Sequence, residues 1–97
     1  MDEGIVARRY VITGRVQGVG YRNFVEHTAG KIRVDGYVRN RRDGSVEVFA
    51  MGTPEELLKL RKALERGPMM AQVANVAEEP SVVEAKYEGN FTVEFTE

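Results

Sequence analysis

Hydrophobic and polar positions change period several times along the chain, and each change marks an element. Residues 7–16, ARRYVITGRV, alternate and carry the β-formers Tyr10, Val11, Ile12 and Thr13, which predicts a strand running into a glycine stretch. Phe24, Val25, Thr28, Ala29 and Ile32 then recur with the spacing of one helical stripe, predicting a helix from about Tyr21 to Ile32. Two strand-like segments follow, 34–40 and 45–51, separated by Arg41-Arg42-Asp43-Gly44, and the Asp-Gly pair signals a hairpin. Thr53-Pro54-Glu55-Glu56 supplies an N-cap, a proline at the first helical position and a capping-box glutamate ahead of Leu57, Leu58, Leu60 and Leu64. That second helix should stop near Gly67-Pro68. Residues 71–79 alternate weakly, whereas 91–95 alternate cleanly, with Phe91, Val93 and Phe95 on one face. Between them, residues 80–90 read as a connection with some extended structure.

The resulting order, β-α-β-β-α-β plus a C-terminal strand, predicts an α+β fold. It matches a ferredoxin-like split βαβ sandwich, an antiparallel sheet with two helices on one face. That architecture carries enzymes, RNA binders and sensors alike, so it selects no function. At 97 residues the chain is expected to form a single domain over 1–97. The absence of cysteine excludes disulfides, zinc–thiolate sites, iron–sulfur clusters and a cysteine nucleophile. No apolar run approaches the length that spans a bilayer, and the N-terminus lacks a signal-like apolar stretch. The expectation is a cytoplasmic protein without a membrane partner, acting as a monomer.

The formal net charge of −1 conceals an uneven distribution. Residues 7–42 hold nine Lys/Arg against two acids, a local charge of +7, whereas residues 43–97 hold five bases against eleven acids. The basic half suits an anion, or else its charges mix with the acids once the chain folds. Within it, Gly14 to Arg22 reads GRVQGVGYR. Gly18 and Gly20 allow successive backbone N–H groups to turn inward just where a helix begins, so free N–H groups and the positive end of the helix dipole point together. Arg22 adds a forked, permanently charged donor suited to a phosphate or carboxylate. A plain tight turn between strand and helix is the alternative. The spacing fits neither the P-loop nor the dinucleotide-binding fingerprint, which disfavours nucleotide cofactors.

GRVQGVGYR together with GYVRNRRDGSVEV resembles the signature segments of acylphosphatases, small enzymes that hydrolyse the carboxyl–phosphate bond of acyl phosphates. The similarity extends to GTPEEL, to RGPMMAQVANV and to the closing aromatic strand. The resemblance implies that Val16, Gln17, Gly18, Val19, Gly20 and Tyr21 form a phosphate-binding loop through their backbone amides. It implies likewise that Arg22 clamps the phosphoryl group and that Asn40 holds the attacking water. It further implies a small acyl phosphate as substrate, with no metal and no organic cofactor. Tyr21 stands where phenylalanine is common in the family and Tyr37 where tryptophan is common, changes expected to matter little. Arg33 replaces a glycine after the first helix; in a left-handed cap it would cost on the order of 1 kcal/mol.

Other residues offer less. His27, the single histidine, has neither a nucleophile nor an orienting partner in evidence. Glu55 and Glu56 sit where a helix start favours acid, and Asn90-Phe91-Thr92 matches a glycosylation sequon that matters only on secretion. Arg39, Arg41 and Arg42 flank Asn40 and either steer anions or solvate the hairpin. Two further functions compete with hydrolysis. An RNA-binding module would require an RNP-type aromatic run, which does not occur, so no nucleic-acid partner is expected. A non-catalytic anion-binding or maturation-factor-like domain would use the same loop without turnover.

Overall fold

A computed structural model of the protein describes residues 4–96. Three acids that contribute to the net charge, Asp2, Glu3 and Glu97, lie outside these residues. The elements are β1 (Val6–Arg15), α1 (Tyr21–Ile32), β2 (Asp35–Asn40), β3 (Val46–Gly52), α2 (Pro54–Arg66), β4 (Gln72–Ser81), a single 3-10 turn (Ala85–Tyr87) and β5 (Phe91–Glu94). Tyr21–Ile32 coincides with the expected helix, and the two central strands lie within a residue of their predicted bounds. β4 runs on to Ser81 through Pro80, which a sheet edge tolerates because one side of the strand makes no ladder bonds.

The strands form one five-stranded sheet in the order β4-β1-β3-β2-β5. β3 lies at its centre, and all seven of its residues are buried. Even-numbered positions on the first three strands, among them Tyr10, Ile12, Val38, Val46, Val48 and Ala50, join Val25 and Ala29 of α1 and Leu57, Leu60 and Leu64 of α2 in the main core. Both helices therefore cover one face, as the pattern predicts. The other face carries a smaller cluster of Ala7, Phe49 and Met51, covered by Tyr87 from the 3-10 turn and flanked by Tyr37.

The α+β fold class stands, but the sheet is mixed rather than wholly antiparallel. β5 pairs with β2 in parallel, Gly36 opposite Phe91 and Val38 opposite Val93. The connection from β4 passes over the open face, where Tyr87 covers Ala7, Phe49 and Met51, and enters β5 antiparallel to β4 itself, the direction that β2 already has. β5 ends at Glu94, so Phe91 packs against the core while Phe95 is 94% exposed.

Candidate active site

At the end of β1 the chain bends through residues 16–20 into α1. Gly20 is the N-cap residue and adopts a left-handed conformation, φ 79° and ψ 18°; Gly18 has φ 72°. A Cβ at either position would meet nothing within 4 Å, so glycine is required there by backbone conformation and not by space. Gly14 differs: a Cβ would lie 2.3 Å from the Gln72 carbonyl oxygen, where β1 and β4 close together across an irregularity in their register. It shapes the approach to the loop and is not part of the bend itself.

The two helix starts differ sharply. Thr53 caps α2 with a complete capping box, Glu56 N–H to Thr53 Oγ1 at 3.2 Å and Thr53 N–H to Glu56 Oε1 at 2.9 Å. At α1 no side chain caps the start and no acid occupies the first turn; the first backbone bond runs from Phe24 N–H to the Gly20 carbonyl at 3.0 Å. The N–H groups of Tyr21, Arg22 and Asn23 precede that bond and have no carbonyl of their own helix to reach. A bare start with a positive dipole end attracts an anion.

That helix start opens on a cleft of about 240 Å³ lined by Val16, Gly18, Gly20, Tyr21, Arg22, Asn23 and Asn40. Asn40 is the last residue of β2 and shares the even, helix-facing parity of Val38. Arg22 is half-buried, and among the described residues no acid forms an ion pair with it. Tyr21 is 1% exposed, and its hydroxyl donates to the Leu64 carbonyl at 2.7 Å. That carbonyl lies in the last turn of α2 and lacks an intrahelical partner, so the bond fastens the start of α1 to the end of α2. Burial pushes the Tyr21 hydroxyl pKa up, keeping it a neutral donor.

Two predicted loop residues turn away from the cleft. Val19 packs against the main core. Gln17 directs its side chain to the β2–β3 hairpin, Nε2 donating to the carbonyls of Arg41 at 2.8 Å and Ser45 at 2.9 Å. Sequence reasoning gave Gln17 a backbone role alone and did not single out Asn23. A position three residues past the last loop glycine, on the first turn of the helix, could have flagged Asn23.

Part of the basic first half is occupied elsewhere. Arg8 pairs with Glu78, Arg9 with Glu47 and Glu79, and Arg39 with Glu47. Glu47 is 2% exposed on the open face, where it also accepts from the Tyr37 hydroxyl. Burial disfavours its charge, but Tyr37, Arg39 and Arg9 together outweigh that and hold its pKa below the ordinary glutamate range. Arg39 thus has a partner on the face opposite the cleft, and the tyrosines at positions 21 and 37, replacements expected to matter little, each use the hydroxyl in a hydrogen bond, buried at Tyr21 and partly buried at Tyr37. His27 is exposed on α1. Among the described residues no group of three or more His, Cys, Asp or Glu is arranged to hold a metal ion, and no helix is long and apolar enough to cross a membrane.

A two-layer α+β sandwich whose sheet brings an asparagine to the cleft at an uncapped, arginine-bearing helix start has the free N–H groups and the positive charge that suit an oxyanion. The family model described as acylphosphatase matches residues 8–93. A protein of Koribacter versatilis named acylphosphatase is 46% identical over 96 residues, covering 99% of this chain and 86% of that protein. The structure of an acylphosphatase from Coxiella burnetii superposes with a TM-score of 0.86 at 33% identity, covering 93% of each chain. The crystal structure of acylphosphatase from Bacillus subtilis gives 0.86 at 32% identity, covering 94% of this chain and 99% of the other. With the match spanning most of its length, this chain belongs to the acylphosphatase family.

Proposed function

We propose that this acylphosphatase binds the phosphoryl group of a small acyl phosphate with Arg22 and the backbone amides of residues 16–22, and that Asn40 holds the attacking water. The observation that carries the assignment is convergence: Arg22 and Asn40, on separate elements, line one cleft with the uncapped N-terminus of α1. An acyl phosphate already has a good carboxylate leaving group, so its hydrolysis calls for positioning and charge stabilisation more than for a strong base. The loop amides and the Arg22 fork meet the negative phosphoryl oxygens with donors fixed in advance. The Asn40 amide can donate and accept, enough to orient a water in line with the departing carboxylate but too weak to deprotonate it. The proton passes to a phosphoryl oxygen of the substrate as the water oxygen bonds to phosphorus and the bond from phosphorus to the carboxylate oxygen breaks. The products are a carboxylate and inorganic phosphate. No step calls for a metal, and one domain carries the whole site.

Phosphate release from benzoyl phosphate tests this assignment. Arg22→Ala should lower turnover by about a thousandfold or more and abolish inhibition by inorganic phosphate. Arg22→Lys keeps the charge but loses the fork, so a large loss is still expected. Asn40→Ala should lower turnover at least about a hundredfold while phosphate inhibition persists. Turnover near wild type in Asn40→Ala would sink the water-holding role, and phosphate binding without turnover in the unaltered protein would make the domain a binding module. EDTA should leave the wild-type rate unchanged.

A further inference from the structure

We infer that the Gln17 side chain is a positioning residue that sets the distance between the phosphate-binding loop and Asn40. Both of its partners are carbonyl oxygens, which only accept, so the amide nitrogen must face them and one N–H goes to each. The two carbonyls bracket the hairpin turn. Arg41 directly follows Asn40, and Ser45 directly precedes Val46, the residue paired with Asn40 across the ladder. Gln17 therefore grips the chain one peptide away from the residue proposed to hold the water.

The hairpin and the start of α1 each carry bonds of their own. The turn closes through Arg41 N–H to the Ser45 carbonyl at 2.9 Å and Gly44 N–H to the Arg41 carbonyl at 3.1 Å. Asp43 adds bonds from the Ser45 N–H and hydroxyl. On the other side, α1 begins at Tyr21 with its own ladder and is fastened to α2 by the Tyr21 hydroxyl. What Gln17 supplies is the relation between two parts that are each already built. In an in-line displacement that relation is the distance from the bound phosphorus to the water, and an error of about 1 Å costs on the order of a hundredfold in rate. The loop amides and Arg22 that bind phosphate stay on one side of the joint, so ground-state affinity should be insensitive to it.

The inference rests on the proposed role of Asn40, and one set of variants separates the two. Gln17→Met keeps the length of the side chain and removes both donors; Gln17→Glu places a carboxylate against two carbonyls. In Gln17→Met the kcat for benzoyl phosphate should fall by roughly a hundredfold. The inhibition constant of inorganic phosphate and the melting temperature should change little, and Gln17→Glu should turn over more slowly still. In an Asn40→Ala background, Gln17→Met should produce no further drop in the residual rate, because its effect passes through Asn40. Wild-type kcat in both Gln17 variants overturns the inference, as does an undiminished effect in the Asn40→Ala background. So does a loss of phosphate affinity in step with kcat. If Asn40→Ala alone keeps wild-type turnover, the water-holding role fails first; if Asn40→Ala is slow and Gln17→Met fast, only the positioning role fails.

Discussion

Arg33 is the one non-glycine residue with positive φ among the described residues, at φ 73° and ψ 45°. It closes α1, its N–H reaching the Ala29 carbonyl at 2.7 Å, and its side chain is exposed. An L-residue in this region crowds its Cβ against the backbone, a strain that glycine escapes. Arg33→Gly should therefore raise stability by about 1 kcal/mol, a shift of roughly 4–8 °C in melting temperature for a domain this size. Turnover should be unchanged, because Arg33 lies at the opposite end of α1 from the cleft. A variant that melts at or below the wild-type temperature would show that the arginine makes a compensating contact. Tyr21 carries the opposite lesson. Its aromatic body is interchangeable with phenylalanine, but its hydroxyl satisfies the Leu64 carbonyl in the core. Tyr21→Phe should cost about 1 kcal/mol in denaturant unfolding.

At the scale of elements, the two helices show which signals a sequence carries openly. Thr53, Pro54 and Glu56 act on neighbours within one turn, so the α2 start is legible from spacing alone, and the structure contains that capping box. Thr53→Ala should destabilise the protein by about 1 kcal/mol, measurable by urea unfolding, with activity per folded molecule retained. The start of α1 is legible in a different way, through what it lacks: no capping side chain and no acid, only glycine and Arg22. The β2–β3 hairpin is similarly local, since Asp43 and Gly44 set its turn. What the sequence hides is contact at long range. Glu47 interrupts an apolar run, VEVFAMG, and its partners Arg9 and Arg39 become visible only once strand order and register are known. The Gln17 contact is hidden for the same reason: its partners are backbone carbonyls 24 and 28 residues away, and a carbonyl carries no sequence signature. The parallel arrival of β5 depends on the path of an irregular connection, which periodicity does not encode.

Across the whole molecule, the imbalance between a basic first half and an acidic second half becomes an interlock. On the open face, Glu79 of β4, Arg9 of β1, Glu47 of β3 and Arg39 of β2 form a line of alternating charge across four adjacent strands. The outer pair, Arg9 with the exposed Glu79, is solvated and contributes little. Glu47 is different because it is buried and each of its contacts favours the ionised form. A carboxylate with a depressed pKa binds fewer protons folded than unfolded at intermediate pH. Its contribution is complete above the unfolded value of about 4.3 and is lost as pH falls through the lower folded value. Wild-type melting temperature should therefore hold from neutral pH down to about 4.5 and then decline. Glu47→Gln keeps the shape but removes the buried negative charge that Arg9 and Arg39 both contact, and should cost about 2 kcal/mol at pH 7. The gap between variant and wild type should narrow as pH drops below 4.5, since acid removes the same charge from the wild type. Parallel melting curves for the two proteins from pH 7 to pH 3 would show that the line of charges on the open face does not hold the strands together.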